Sequence, residues 1–465
     1  MLLTFGDLKQ IWGEAICLTP QNLNTTLGTI CTDSRQIRKG DFFIALQGKS
    51  FDGHNFLLEA FEGGAQGAVI SATSSIQVPE GFVYWKVPNT LQAYQQLCLL
   101  HRKNLNIPLI AVTGSVGKTT TRELVKSSLE SLGKVVATTE NNNNDIGVPL
   151  TVLAADASHQ AIIVEMGMRG LGEIKRLSKC TEPNIAIITN VGSAHLELLG
   201  SLRNIAKAKC EVTSFLSSSG VVVIPEGYRL LEEELIKVWN GRVIRVGIFD
   251  NGSSQFISNE NILPNLPKAD LIGEISGDNS ELLLEGEVYK LPVEGRHNAL
   301  NFLLAIAVAR ELGVSNESLK QLNTKIPAGR HTILRAGQIT LIDETYNSSP
   351  ESVKAALNLL VSKPGRHFAV LGTMLELGDQ SDSFHRQIVE YAAEKSIDGL
   401  VIVSRGLEEK VMREASGTIP LVEVVPTSEQ AFYKLQTWLR PGDVVLLKAS
   451  RAIGLERLIS LFLED

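Results

Sequence analysis

Eight residues constrain this chain more than any others: Thr113-Gly114-Ser115-Val116-Gly117-Lys118-Thr119-Thr120. An apolar run at 109–112 precedes them, and a helical pattern with Leu124, Val125 and Leu129 follows. Strand, glycine-bearing loop and helix, in that order, is the setting of a phosphate-binding loop, where backbone N–H groups and the helix N-terminus face the anion. In that setting Lys118 neutralises the β and γ phosphates and the Thr119 hydroxyl ligates Mg²⁺. The longer form of the pattern begins with glycine at position 112. Val112 stands there, so this is the shorter GxxGKT form. Such a loop lies at the C-terminal edge of a mostly parallel sheet, and the chain is expected to be α/β.

The rest of the chain follows the same grammar. Apolar runs at 161–164, 185–188 and 221–224 read as further buried parallel strands. A long helix is expected from about 298 to 312, stopped by Gly313. Beyond it strands at 339–342, 368–371, 400–403 and 444–447 alternate with helices at 351–361, 384–395, 428–438 and 452–462, a second open sheet. Before residue 106 come short β-like runs at 41–46 and 67–70 and a helical pattern from 91 to 102. Three blocks result, 1–105, 106–313 and 314–465. That lies within the two to four domains that 465 residues allow at ~100–200 residues each.

A net charge of −7 argues against a general basic surface for nucleic acid, while leaving room for a local cationic pocket. The five cysteines, Cys17, Cys31, Cys98, Cys180 and Cys210, are scattered without a CxxC pair. Neither a disulfide framework nor a structural zinc site is expected, and a reducing cytoplasm fits. The start, MLLTFGDLKQIWGEA, lacks a basic stretch followed by an apolar core, so it does not read as a signal peptide. No apolar run reaches the ~20 residues that span a bilayer.

Further chemistry clusters at strand ends. Glu165 closes the run 161–164, where a carboxylate can reach Mg²⁺ or an activating water at the ligand-binding edge. His195 follows the run 185–188 within Thr189-Asn190-Val191-Gly192-Ser193-Ala194-His195, at a third strand end, and reads as a metal ligand. Lys207 and Lys209 read as a solvated helix face, and spacing does not separate them.

Eight segments, TGSVGKTTTRE, NNNNDIGVPLT, EMGMRGLGEI, TNVGSAHLELLGS, IAKAKCEV, EGRHNALNFLLA, ETYNSSPESV and VLGTMLELG, occur in the order seen in the Mur ligase family. The chain resembles that family over nearly its whole length, from Asp33-Ser34-Arg35 to Lys448-Ala449-Ser450-Arg451. The resemblance is strongest to the member that adds D-alanyl-D-alanine to a UDP-linked muramoyl tripeptide. It implies an ATP-dependent, ADP-forming ligase with a UDP-substrate domain (1–105), a central ATPase (106–313) and a Rossmann-like domain for the incoming dipeptide (314–465). The partners it implies are small molecules, with no nucleic acid and no membrane span, and the chain is expected to act as a monomer in the cytoplasm. No DNPR-type motif of the diaminopimelate-adding relative is present, and Thr119-Thr120 rather than Gly-Ser follows the loop lysine.

Position by position, the resemblance implies that ATP meets Gly114, Ser115, Val116, Gly117, Lys118, Thr119 and Thr120, with Asn298 and Asn301 on the adenine side and Arg330 and Asp343 closing over it. Thr119, Glu165 and His195 are the implied Mg²⁺ ligands. Lys209 is the implied fourth, as a lysine carbamylated by CO₂. Ser34, Arg35, Phe43, Gly48, Asp52 and His54 resemble uridine-nucleotide residues. Asn141, Asn143 and Asn144 resemble a loop facing the muramoyl substrate, and Tyr346, Asn347 and Glu376 resemble residues lining the peptide site. The departures are Thr373 where aspartate is common, Ala449 where glycine is usual, and Glu344-Thr345 and Ser348-Ser349 beside Tyr346-Asn347.

Overall fold

An uninterrupted run of Val, Ile and Ala needs cover on both faces, so each such run implies helices above and below its sheet. The computed structural model describes residues 3–48, 50–249, 267–277, 280–404 and 406–464. It contains three sheets, one for each block.

The first is a four-stranded parallel sheet, Ile30–Cys31, Phe42–Ile44, Gly67–Ser71 and Val83–Val87, in sequence order. The second has nine strands. Leu109–Thr113 lies between His159–Glu165 and Ile185–Ile188, with Lys134–Ala137 outside the former and Val221–Pro225, Arg242–Phe249 and Leu271–Ile275 outside the latter, all parallel. Two antiparallel strands, Glu281–Leu284 and Glu287–Lys290, finish that edge. The chain leaves Leu109–Thr113 to one side and later returns to the other. Its C-terminal end is therefore the switch point where such sheets open a crevice.

Side chains alternate across this sheet as a strand's period of two demands. Ile110 and Val112 join a core with Leu124, Phe302 and Leu303, while Leu109 and Ala111 join one with Val164, Leu177 and Ile188. The helix Arg296–Glu311 begins two residues before the expected start and packs on the loop helix Lys118–Leu129. It ends as expected: Gly313 (φ +82°) follows, with Gly313 and Val314 N–H groups bonding back to Arg310 and Ala309.

The third sheet runs Thr332–Ala336, Ile339–Glu344, Val444–Lys448, His367–Gly372, Gly399–Val403 and Leu421–Val425, parallel except for the first strand. Its last helix starts at Glu456, not at 452. Arg451–Ile453 forms a 3-10 turn and Gly454 (φ +75°) breaks the chain direction. Among the described residues no helix is long and apolar enough to cross a membrane.

The first sheet is not isolated from the second. Helix Thr90–Asn104 packs on Gly147–Leu153 and Glu173–Thr181, and one hydrophobic cluster runs from Phe42, Trp85 and Leu97 to Ile162 and Ile224. Asn184 fastens this junction: its Oδ1 accepts from Arg102 Nη2 at 2.7 Å and from the Leu109 N–H at 2.8 Å. Asn184→Leu leaves both donors without that partner, at ~1–3 kcal/mol for each buried group. Denaturant unfolding is expected to show a loss of about 2 kcal/mol or more, and a loss under about 0.5 kcal/mol would contradict this junction.

Candidate active site

The loop expected to hold phosphate is built at the switch point. Gly114 (φ +150°) and Gly117 (φ +80°) take backbone conformations that a side chain rarely adopts. A Cβ on Gly114 would sit 1.8 Å from Thr189 Oγ1, and one on Gly117 2.9 Å from Asn301 Oδ1. Part of the loop is held by the residues that follow the neighbouring strand. Asn190 Oδ1 accepts from the N–H groups of Ser115 (3.1 Å) and Val116 (3.0 Å), and Thr189 and Asn190 both donate to Val116 O. Lys118 folds over the loop, its Nζ 2.9 Å from Gly114 O and 3.2 Å from Ser115 O. Burial lowers the Lys118 ammonium from its ordinary value; Glu165 opposes that and Arg330 adds to it, so both charges lie within reach of the loop lysine.

Glu165 is 2% exposed and sits in register with Val112, one residue before the loop strand ends. Its Oε2 accepts from Thr119 Oγ1 at 2.8 Å and Arg122 Nη1 at 3.2 Å, and its Oε1 from Asn143 Nδ2 at 2.9 Å. The expected pair Thr119 and Glu165 is thus brought together. Arg122, on the same helix face one turn after Thr119, was not singled out by sequence; an arginine near a helix start reads as solvated, yet this one is 1% exposed. Thr120 is buried as well. Asn143 meets Glu165, whereas Asn144 accepts from the Ile146 and Gly147 N–H groups and shapes the turn before the next helix; Asn141 is exposed.

His195 (φ +66°) precedes the single turn Leu196–Leu199, and its Nδ1 lies 2.5 Å from Glu376 Oε2. Burial, then Lys118, lower its basicity; Glu376 raises it, and Lys209 lowers it further. Both lysines therefore lie near the ring. Lys209 corrects the solvated-face reading. In helix Leu202–Cys210 it shares a buried face with Ile205, and of the two lysines Lys207 is the exposed one. Lys209 is 1% exposed and has no ion-pair partner among the described residues. Burial, with Lys118 close by, holds its amine well below the usual lysine value.

Across the crevice the turn before the third sheet's first strand supplies Arg330, whose guanidinium lies 3.8 Å from the centroid of the Tyr346 ring, with Arg451 over that ring at 5.7 Å. Asp343 orders the turn beneath, accepting from the Gly329 N–H (2.9 Å) and Thr345 Oγ1 (2.7 Å). Asn347 O accepts from Lys448 Nζ at 3.0 Å. Next to it His331 and Lys448 flank the buried Glu344; they hold its carboxyl well below the usual range against the upward push of burial. His297 packs on His331 with ring centroids 5.0 Å apart, and burial and that neighbour push it down to about 3. Asn298 Nδ2 donates to Glu294 O at 2.7 Å and Asn301 Nδ2 to Asn298 Oδ1 at 3.3 Å, so both asparagines line the helix start beside Gly117.

In the first sheet two expected nucleotide residues face inward. Phe43 is 1% exposed within a core with Leu57 and Phe82. His54 is buried with both ring nitrogens engaged, Nδ1 with Asp52 at 2.6 Å and Nε2 with the Ser71 N–H at 2.8 Å. Both side chains are therefore turned into the interior of the first block. Arg35, paired with Asp33 at 2.8 Å, and Gly48 are exposed, and Ser34 is half-buried. Of the departures, Ala449 packs under Gly372 and Thr373 donates to Ser404 at 3.3 Å, both inside the third block.

As for a metal, Thr119 and Glu165 offer paired oxygens of the kind a hard divalent cation takes. Among the described residues no three of His, Cys, Asp and Glu converge as a ready metal site.

Family comparison gives three matches: "Mur ligase family, catalytic domain" over residues 26–115, "Mur ligase middle domain" over 112–309, and "Mur ligase, glutamate ligase domain" over 329–451. The UDP-N-acetylmuramoyl-tripeptide--D-alanyl-D-alanine ligase of Synechocystis sp. is 37% identical, covering 97% of this chain and 96% of the relative. A crystal structure of MurF from Acinetobacter baumannii superposes with a TM-score of 0.82 at 29% identity over 95% of both chains. MurF ligase from Thermotoga maritima in complex with ADP gives 0.78 at 28% identity over 94% of this chain and 97% of that one.

Lys209 has a consequence for stability. An unfolded lysine keeps its proton up to about pH 10.4, whereas folded Lys209 releases it at a lower pH. Between those two values the unfolded state holds more protons, so stability rises with pH across that window and is reduced below it. Lys209→Met removes the cost. In CO₂-free buffer at pH 7 it is expected to raise Tm by roughly 2–4 °C, the shift ~1 kcal/mol gives in a unit of ~150–250 residues. The gain should shrink as pH approaches 10. A lowered Tm would contradict an unpaired buried amine.

Proposed function

The chain belongs to the Mur ligase family, and from that premise we propose how its own residues carry the reaction. It is an ATP-dependent, ADP-forming ligase that joins D-alanyl-D-alanine to UDP-N-acetylmuramoyl tripeptide in peptidoglycan synthesis. One observation carries the reading of the site: Lys118, Thr119 and Glu165 converge at the C-terminal ends of two adjacent parallel strands.

The tripeptide carboxylate attacks the γ-phosphorus of ATP. A new O–P bond forms, the bond to the bridging oxygen breaks, and an acyl phosphate and ADP result. Transfer of this kind is mostly positioning and charge stabilisation. Lys118 leaves its own loop carbonyls for the phosphates, and the Ser115 and Val116 N–H groups exchange Asn190 for phosphate oxygens. Arg330, reaching from the turn before the third sheet's first strand, adds positive charge on the far side. The dipeptide amine then attacks the acyl carbon and expels phosphate with loss of a proton. Water must be excluded while the acyl phosphate lives, which favours a site closed between two units.

Mg²⁺ held by Thr119, Glu165 and His195 would neutralise charge between the transferred phosphoryl group and the attacking carboxylate. Lys209, as a carbamate, would supply an anionic oxygen to that set. Its neutral amine nitrogen bonds to the carbon of CO₂, one C=O electron pair moves to oxygen, and the nitrogen loses a proton. The lowered basicity of Lys209 supports this, since only the free amine reacts. Ser34, Arg35, Gly48 and Asp52 lie on the side we assign to the UDP moiety. The segments 141–144 and 346–347 face the muramoyl tripeptide and the dipeptide respectively. All five cysteines are free, in keeping with a cytoplasmic site of action.

Three outcomes test this reading. Phosphate release is expected only with ATP, UDP-muramoyl tripeptide and D-alanyl-D-alanine together; equal turnover with ATP alone would overturn it. Lys118→Ala, folded by circular dichroism, is expected to lose about 10²–10³-fold in kcat, the scale of a lost charge-stabilising donor. Lys209→Ala is expected to be nearly inactive and partly rescued by acetate, while the exposed Lys207→Ala stays active. A dead Lys207→Ala beside an active Lys209→Ala would reverse that assignment.

A further inference from the structure

The loop after strand Ile185–Ile188 carries His195, and the C-terminal unit grips it at two points. Glu351, in the first turn of helix Pro350–Val361, accepts from the Ser193 N–H through Oε1 at 2.8 Å and from the Ser193 hydroxyl through Oε2 at 3.1 Å. Its carboxyl also fills the space beside Gly192, where a Cβ would meet it at 2.9 Å. Glu376 meets the imidazole of His195 at Nδ1, 2.5 Å away, and its carbonyl accepts from the Glu197 N–H at 3.2 Å. Gly378 (φ +57°) lies flat against Glu197, leaving 3.3 Å for an added Cβ.

Two of these residues stand in unfavourable backbone. His195 and Glu376 both have φ above +60° although neither is glycine. Left-handed backbone at such residues persists only where the surroundings over-determine it, and it gathers at functional sites. Here the two strained residues are each other's partner across the gap between units. A carboxylate on Nδ1 fixes the ring's orientation and selects the tautomer whose Nε2 carries the lone pair. That carboxylate belongs to the unit that must seat over the nucleotide, while the ring belongs to the unit that binds it.

We propose that Glu376 is a positioning residue which, with Glu351, makes the seating of the C-terminal unit the condition for orienting His195. The inference rests on the reading of His195 as part of the phosphoryl-transfer site. With the unit unseated, Ser193 and His195 lose both carboxylates, and the loop that carries the ring is held by the Ser115 hydroxyl at Gly192 and by its own short turn. ATP is then spared from hydrolysis until the dipeptide-binding unit is in place.

A double-mutant cycle in the full chain tests it, with His195→Ala, Glu376→Ala and the double variant assayed for ligation at saturating substrates. Glu376→Ala is expected to lower kcat by about 10–100-fold, the range for lost outer partners of a functional histidine, with the KM for D-alanyl-D-alanine little changed. The double variant is expected to be no slower than His195→Ala alone. Hydrogen exchange should speed up at the 193–199 amides in both Glu351→Ala and Glu376→Ala without added nucleotide. Glu376→Gln keeps an acceptor oxygen and should recover most of the rate, which also serves if the alanine variant fails to fold. Multiplicative losses in the double variant, or a Glu376→Ala whose defect lies in the KM for the dipeptide, would overturn the proposal. A fully active His195→Ala would instead overturn the site reading beneath it.

Discussion

The carboxylate of Glu165 is the point on which the catalytic edge turns. It closes one central strand, and three segments reach it: the loop helix through Thr119, the same helix one turn on through Arg122, and the asparagine segment through Asn143. A carboxylate this deeply buried is tolerable because its oxygens are paired with donors. The same bonds set the loop helix at a fixed height over the sheet, which places Lys118 and the loop N–H groups. Removing the strand end, the helix face or the asparagine turn would release the others.

Around that anion the protein concentrates positive charge it does not neutralise internally. Lys118 bonds only to backbone carbonyls of its own loop, and Arg330 rests on an aromatic face. Each arrangement is costly for the free protein and becomes favourable when phosphate oxygens arrive in a water-poor crevice. Meanwhile the Ser115 and Val116 N–H groups of the loop are lent to Asn190. Nucleotide binding is then an exchange of partners.

The features legible in the sequence were those with local causes. Strand, loop and helix around Lys118 follow from adjacent residues, as do Glu165 at a strand end and the Gly313 cap. Lys209 was hidden by its chemistry. Its i,i+4 relation to Ile205, against that of Arg203 to Lys207, marks the buried face, but a lysine on an apolar face is discounted until its neighbours are known. The edge strands Glu281–Leu284, Glu287–Lys290 and Thr332–Ala336 are short and only partly covered, so they lack the continuous apolar run that marked the central ones. Phe43 lay in a segment of the right kind, yet the alternation of a strand turns it to the core beside Leu57. The partners of Ser193 and His195 lie 158 and 181 residues away, and no local pattern could announce them.

The central claim is that these groups transfer phosphoryl to the tripeptide carboxylate before the amide forms. The most direct measurement labels both oxygens of that carboxylate with ¹⁸O, runs ligation to completion with ATP and D-alanyl-D-alanine, and weighs the released inorganic phosphate. Attack of the carboxylate on the γ-phosphorus places one ¹⁸O in each phosphate released and leaves one in the amide carbonyl of the product. Ligated product accompanied by unlabelled phosphate would contradict the acyl phosphate, and with it the role assigned to this site.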